Sequence, residues 1–272
     1  MEFINFLKLK KDRHLSLVFP GWKKSERVAF FSPHDDDALL GAGYLILAVR
    51  RAGGTPFIFV FCRGDAGYST RPRKKDIVAQ RKKEAIHAYG LLGVKAENIH
   101  FFDVPDFSLP CRLDRRPACG EGVFDKTISA LRRGRISRVV FSSGHYEHWD
   151  HTGVFHAGIY ISSQAQDPIL ADLGKPRPVK TYLAYSVWGD FEPAWGGGGL
   201  RADLGILAAE KDEESIAKTI RSFASQSRIV RNIVDRRAAR KTAQGYLELY
   251  KSYQTRMPID YAPYFDRLRK MK

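Results

Sequence analysis

A chain of 272 residues, 44% hydrophobic and 28% charged, can bury a full core as one large domain or two small ones, and no stretch approaches the ~20 apolar residues of a membrane span. Its formal net charge of +15 favours anionic partners such as phosphorylated substrates, acidic lipid headgroups or nucleic acid, yet no zinc finger, RNA-recognition signature or basic heptad helix accompanies it. Three scattered cysteines (Cys62, Cys111 and Cys119) make no disulfide framework and no secretory leader is apparent, so a cytoplasmic protein is expected.

In chain order, residues 1–27 carry Pro20-Gly21 and several lysines and read as a lead-in with little core. Val28–Phe31 is a short apolar strand, and Leu39–Val49 has the pattern of an apolar helix. Pro56–Cys62 is a second strand, followed by an irregular loop, Arg63–Arg73, with two glycines and a proline. A helix is predicted over Lys74–Leu92, stopped by Gly93. Ile99–Phe102 is a third strand, Val123–Arg133 a helix and Arg138–Phe141 a fourth strand. Gly153–Ser163 reads as the next helix and Thr181–Val187 as the fifth strand. Glycines 196–199 form a flexible loop of no evident role. Glu210–Gln226 and Ile229–Tyr253 read as basic helices that close a site or wrap the sheet. Strands alternating with helices across short loops predict a single Rossmann-like α/β domain over residues 1–272, with a mostly parallel sheet covered by helices on both faces. Residues 228–272 are expected to be a helical C-terminal extension of it.

The chemistry concentrates at two strand ends. In Ser32–Gly43, SPHDDDALLGAG, a buried strand turns into a helix, the place where open α/β sheets put their active sites. His34, Asp35, Asp36 and Asp37 crowd that turn, and three adjacent carboxylates need a positive partner, for which a divalent metal is the favoured candidate. The second cluster, GHYEHWDHTGVFH at residues 144–156, directly follows the fourth strand. Three protein ligands with one open position is the catalytic zinc arrangement. His34 and Asp37, three residues apart, can point to one side, and one histidine of the second cluster would complete the set. Asp35 reads as a helix cap or hydrogen-bond anchor rather than a ligand, and His14, His87 and His100 as polar surface.

The His34-Asp35-Asp36-Asp37 and His148-Trp149-Asp150-His151 tetrapeptides resemble the H-x-D-D and H-x-D-H motifs of the LmbE-like (PIG-L) N-acetylglucosaminyl deacetylases. Arg81-Lys82-Lys83-Glu84, Pro105-Asp106 and Ser225-Gln226 extend the similarity over roughly residues 28–226, while Asp35 and Trp149 stand where the family usually has proline. The resemblance implies Zn²⁺, with Fe²⁺ also compatible, held by His34, Asp37 and His151; His145 and His156 stay open as alternatives to His151. It implies Asp36 as general base, His148 as oxyanion stabiliser or proton donor, Asp150 as the group orienting a histidine, and Tyr146 as a further polarising group. Arg81 and Asp106 are implied contacts to sugar hydroxyls, against the plainer reading of a surface charge and a turn residue. Trp149, Trp188 and Trp195 stack on a sugar or simply pack. The activity implied is removal of the N-acetyl group from an N-acetylglucosamine-containing glycoconjugate or glycolipid. An anionic or phosphorylated substrate would match the basic surface, as would peripheral contact with a membrane. A metal-dependent amidase acting on a larger acyl group or a thiol conjugate is the alternative enzyme; a polyanion- or nucleic-acid-binding protein is the alternative of another class, and it leaves both His/Asp clusters unexplained.

Overall fold

The computed structural model describes residues 1–189, 191, 200–256 and 260–271. Among them the strands are β1 (Glu2–Asn5), β2 (Lys10–Asp12), β3 (Arg27–Ser32), β4 (Thr55–Cys62), β5 (Ile99–Val104), β6 (Arg138–Ser142), β7 (Thr181–Tyr185), β8 (Leu204–Ala208), β9 (Lys241–Thr242) and β10 (Gly245–Tyr253). The helices are α1 (Asp37–Arg51), α2 (Ile77–Leu91), α3 (Phe124–Arg133), α4 (Trp149–His156), α5 (Glu210–Ile220), α6 (Ser227–Arg237) and α7 (Ala262–Lys270). All strands join one sheet in the order β2-β1-β8-β10-β7-β6-β3-β4-β5, with β9 on β10. The run from β7 to β5 is parallel, and β10 joins it antiparallel to β7. Beyond that point the pairings are antiparallel.

Two-residue alternation in the central strands divides the core. Val28, Phe30, Ile58 and Val60 face the helices α1, α2 and α5 through Leu39, Leu45, Ala85 and Ile216. Ala29, Phe31, Phe57, Phe59 and Phe61 face the other way, onto Ile128, Leu131, Val154 and Ile161. Helices on both faces of an α/β sheet are thus as expected, and the loops leaving β3, β4, β5 and β6 meet along one edge.

Helix α1 is broken at Ala42 (φ −134°, ψ 24°). The carbonyl of Leu40 and the N–H of Tyr44, partners in an unbroken helix, are both satisfied from outside it. Arg237 and Arg240 donate to Leu40 O (2.9 and 3.1 Å), and the buried carboxylate of Glu248 accepts from the Tyr44 and Leu45 amides (3.1 and 3.2 Å). At Gly41 the ring of Tyr185 comes within 2.1 Å of where a Cβ would sit, so only glycine lets β7 approach this turn. Tyr185 also donates its hydroxyl to Phe31 O (2.8 Å). The first turn of α1 is therefore locked between β3, β7 and the C-terminal elements.

Several sequence expectations are corrected. Residues 1–27 are no coreless lead-in: β1 and β2 extend the sheet, and Phe3, Leu15, Val18 and Phe19 are buried. Arg138, wholly buried on β6, reaches back to Glu26 (2.5 Å) and Pro20 O (2.9 Å) and ties that segment to the core. Ile229–Tyr253 is not one helix, and residues 228–272 are not purely helical. Helix α6 ends at Arg237 and β10 enters the middle of the sheet, because Glu248 and Tyr250 alternate inward against α1. Strand β8 was not anticipated. Helix α4 starts at Trp149, four residues before the expected Gly153, and ends in a π-helical stretch, Ala157–Ile161. Glycines 196–199 and Trp195 lie outside the described residues.

Candidate metal centre

His34, just beyond β3, and Asp37, the first residue of α1, are brought to one point by the turn between them: Asp37 Oδ2 accepts from the His34 amide (2.8 Å) and lies 3.1 Å from His34 Nδ1. From the far side comes His151 on the first turn of α4, wholly buried, its Nε2 3.2 Å from the same Oδ2. That Nε2 is buried yet makes no hydrogen bond. Donor separations of 3.1 and 3.2 Å approach the ~3.4 Å edge of a tetrahedron built on ~2.0–2.1 Å metal bonds. An unpartnered imidazole nitrogen, a second imidazole and a carboxylate at this spacing fit a divalent cation.

Two other groupings of donors occur among the described residues, His34 with Cys62 and Asp106, and His34 with His148 and Asp150. Both are poorer. Burial and the nearby Asp150 and Asp106 carboxylates push the Cys62 thiol well up, so it stays protonated. His148 Nδ1 already accepts the Asp150 amide (3.2 Å), closing the N-terminus of α4.

Charge around the centre is divided in a definite way. Burial alone would raise Asp37, but the facing imidazoles of His151 and His34 outweigh it and hold the carboxyl well below its usual range. Burial would lower His151, but Asp37 and Glu147 carry it up to about 9 in the metal-free protein. Asp36 is different: burial, with Asp37 and Asp35 adding repulsion, raises it to about 7 against the pull of Arg81. Arg81 lies buried beneath the three aspartates. Its Nε donates to Asp35 (2.7 Å), its Nη2 also contacts Asp35 and is 3.6 Å from Asp36, and its Nη1 donates to Gln226 (2.9 Å). Gly64 (φ +73°) and Gly67 make room for that guanidinium, since a Cβ at either would meet it at 2.5 or 2.2 Å.

The surrounding pocket, about 400 Å³, is floored by His34, Asp36, Asp37 and Arg81 and rimmed by Phe107, Tyr146, Trp188 and Ile229. A family model described as PIG-L, GlcNAc-PI de-N-acetylase, matches residues 29–162, the stretch that supplies both His/Asp clusters. That segment is similar to the PIG-L family. Solved structures similar to it include the N,N′-diacetylchitobiose deacetylase of Pyrococcus horikoshii, 18% identical over 84% of each chain with a TM-score of 0.67. A conserved protein of Thermus thermophilus is 21% identical over 87% of this chain and 97% of its own, TM-score 0.62. The 4-carboxy-2-hydroxymuconate hydratase of Pseudomonas putida is 19% identical over 87% and 100%, TM-score 0.61. These likenesses show a shared fold, and one fold hosting both a deacetylase and a hydratase leaves the reaction to the site. No protein of curated function matches the sequence significantly.

Around this pocket the remaining expected residues take the following places. Asp150 is wholly buried, accepts from the Phe107 and Leu109 amides (2.7 and 3.1 Å) and faces His34 Nε2 at 3.5 Å. His148 stands at the pocket wall, its imidazole lowered by burial and by the neighbouring His34. Tyr146 is exposed at the rim on left-handed backbone (φ +52°). Asp106 accepts from Gly64 and Ala66 amides (2.8 and 2.9 Å) and lines the pocket. Arg81 is no surface charge. Glu84, on the same helix, holds Ser225 (2.6 Å), so the α2 and Ser225-Gln226 motifs lock each other. Of its two expected roles Asp35 takes that of hydrogen-bond anchor, as the partner of Arg81, and caps no helix.

Glu147 was missed. It sits 2.9 Å from His151 Nδ1 and also accepts from Ser186 Oγ, Val187 N and Trp188 N (2.7, 2.7 and 3.1 Å). Its carboxyl is pulled low by His151 and these donors despite burial. The only hint in sequence was its i, i+4 spacing to His151.

Proposed function

We propose that this protein is a metal-dependent N-deacetylase that hydrolyses the acetamide of an N-acetylglucosamine-containing substrate. One observation carries the reading: a carboxylate poised near neutrality, Asp36, stands beside the His34–Asp37–His151 cluster on the floor of an open pocket. His34, Asp37 and His151 would hold the ion, Zn²⁺ or Fe²⁺. Such an ion, when bound, supplies Lewis acidity toward a carbonyl and toward water.

The chain's own residues do the rest. Asp36 takes a proton from the attacking water, a task suited to a carboxyl at about 7, where base and conjugate acid are both accessible at neutral pH. Arg81 keeps Asp36 from rising further. The His148 ring, with Nδ1 committed as acceptor, carries its proton on Nε2 when neutral and donates it toward the acetamide oxygen or the leaving nitrogen. Asp150 fixes the 105–109 loop and the His34 ring together. Tyr146 reaches the carbonyl from the rim, and Asp106 and Arg81 contact sugar hydroxyls. Asp106 retains free lone pairs for this, while Arg81 shares donors already used on Asp35 and Gln226.

The apolar rim of Phe107, Trp188 and Ile229 favours a second reading, in which the acyl group or aglycone is larger than a simple sugar. The test compares metal content and acetate release for wild type and Asp37→Ala on N-acetylglucosamine conjugates, beside longer N-acyl amides. About one metal per chain, lost in the variant together with acetate release, is expected. Release of only the longer acyl groups would favour the second reading, and wild-type protein that cannot be loaded with metal would overturn both.

A further inference from the structure

We propose that the edge of the sheet opposite the metal centre is a docking surface for an anionic lipid membrane, formed by α7 and the tip of the β1–β2 hairpin. Every residue from Asp260 to Met271 is exposed, although α7 is strongly one-sided. Tyr261, Tyr264, Phe265 and Leu268 recur at i, i+3, i+4 and i+7 and form one apolar face. At 100° per residue, Arg267 and Arg269 fall on either flank of that face and Lys270 behind it. A nine-residue helix gains too little from its own hydrogen bonds to persist alone in water. An apolar stripe rich in aromatics with arginines on both flanks is the make-up of a helix lying in a lipid interface.

The hairpin tip repeats this chemistry independently. Leu7 and Leu9 are 76% and 93% exposed, and Leu9 is turned outward by a left-handed backbone (φ +49°). Exposed Lys8, Lys10 and Lys11 surround them.

The two features emerge on one side. Asn5 pairs with Leu204, Leu204 with Tyr250, and Tyr253 with Tyr182 at the start of β7, so the hairpin tip and the segment leaving β10 lie at the edge where the parallel strands begin. Arg256, held by Asp167 (2.6 Å), fixes the chain beside that edge as it leaves β10. Charge selects the occupant. A second copy of a chain with net charge +15 would set like charge against like, whereas an acidic headgroup layer complements the lysines and arginines around both apolar patches. The proposal does not depend on the reaction catalysed.

The test is co-sedimentation of the full-length protein with phosphatidylcholine vesicles with and without phosphatidylserine, at low and raised salt. Wild type is expected to bind the phosphatidylserine vesicles at least about tenfold more tightly, less so in salt, and Phe265→Asp with Leu268→Asp should cost about tenfold or more with unchanged circular dichroism. Leu7→Asp should weaken binding separately. No binding of wild type, or equal binding by wild type and the double variant, would overturn the proposal. So would lipid-free dimerisation that the double variant abolishes, which would make a second copy the occupant.

Discussion

Replacing Glu147 by glutamine removes one charge from behind His151 and nothing else of comparable size. The amide oxygen of glutamine can still accept from Val187 N and Ser186 Oγ, so the 186–188 turn should persist. Two effects then oppose each other. A carboxylate on the far nitrogen of a metal-binding imidazole fixes the ring and raises its basicity, and losing such a partner costs ~10–100-fold in metal affinity, about 1.4–2.7 kcal/mol. The same carboxylate helps carry His151 up to about 9, so at pH 7 the incoming metal must displace a proton. That competition amounts to ~100-fold, about 2.7 kcal/mol. From His151 alone, wild-type affinity should therefore rise by up to about tenfold per pH unit above neutrality and level off near pH 9. His34 is likewise raised, by Asp150 and Asp37 against the cost of burial, and steepens the rise. In Glu147→Gln the proton leaves His151 at lower pH, so the variant's curve should level off sooner. Its deficit should be largest above pH 9 and shrink toward neutrality. Competition for Zn²⁺ with a chromogenic chelator across this range measures both curves. Identical slopes, or equal affinity above pH 9, would refute the role given to Glu147.

Asp36→Asn should leave metal stoichiometry unchanged while kcat falls ~10²–10⁴-fold, read by acetate release beside metal analysis; a drop in bound metal would make Asp36 a ligand instead. Arg81→Met strands the carboxylates of Asp35 and Asp36 in a buried site, and metal-stripped protein should lose about 3–5 kcal/mol in urea unfolding. A loss below ~1 kcal/mol would mean those carboxylates find compensation elsewhere. Burial would raise the Glu26 carboxyl, but its bond to Arg138 and that guanidinium's charge hold it below its ordinary value. A depressed carboxyl contributes stability above its ordinary pKa and loses it as pH falls through the folded value. Glu26→Gln should accordingly be less stable at neutral pH and show a shallower acid limb, followed by thermal melts from pH 7 to 3.

The parallel half of the sheet and both His/Asp arms of the candidate site could be read from the chain because their signals are local. Apolar runs of strand length bounded by glycine turns mark β3 to β7, and four polar residues crowded into a strand-to-helix turn demand a charge partner wherever they sit. The positive partner found there includes a protein group, Arg81, which helical spacing alone could not aim at Asp35. What stayed hidden depends on distant contacts. Glu248 makes β10 look like the polar face of a helix until the break in α1 supplies amides for it to accept. Glu147 looks like solvated charge until the 186–188 turn, some forty residues later, covers it. The β1–β2 hairpin has no sheet to join until β8 exists.

That last dependence bears on how the protein is made. Among the described residues strand β10 alone bridges the parallel strands and the β8-β1-β2 wing, and together with Arg237 and Arg240 it satisfies the broken turn of α1 that carries Asp37. At ~5–20 residues per second, the ribosome takes about 10–50 s to pass from β1 to β10. During that interval the β1–β2 hairpin, and later β8, present an open edge, and the turn carrying Asp37 lacks the groups that hold it. Assembly of the pocket floor is thus postponed to the closing stage of synthesis, and a nascent chain halted before residue 245 would present an unpaired sheet edge in place of a finished pocket.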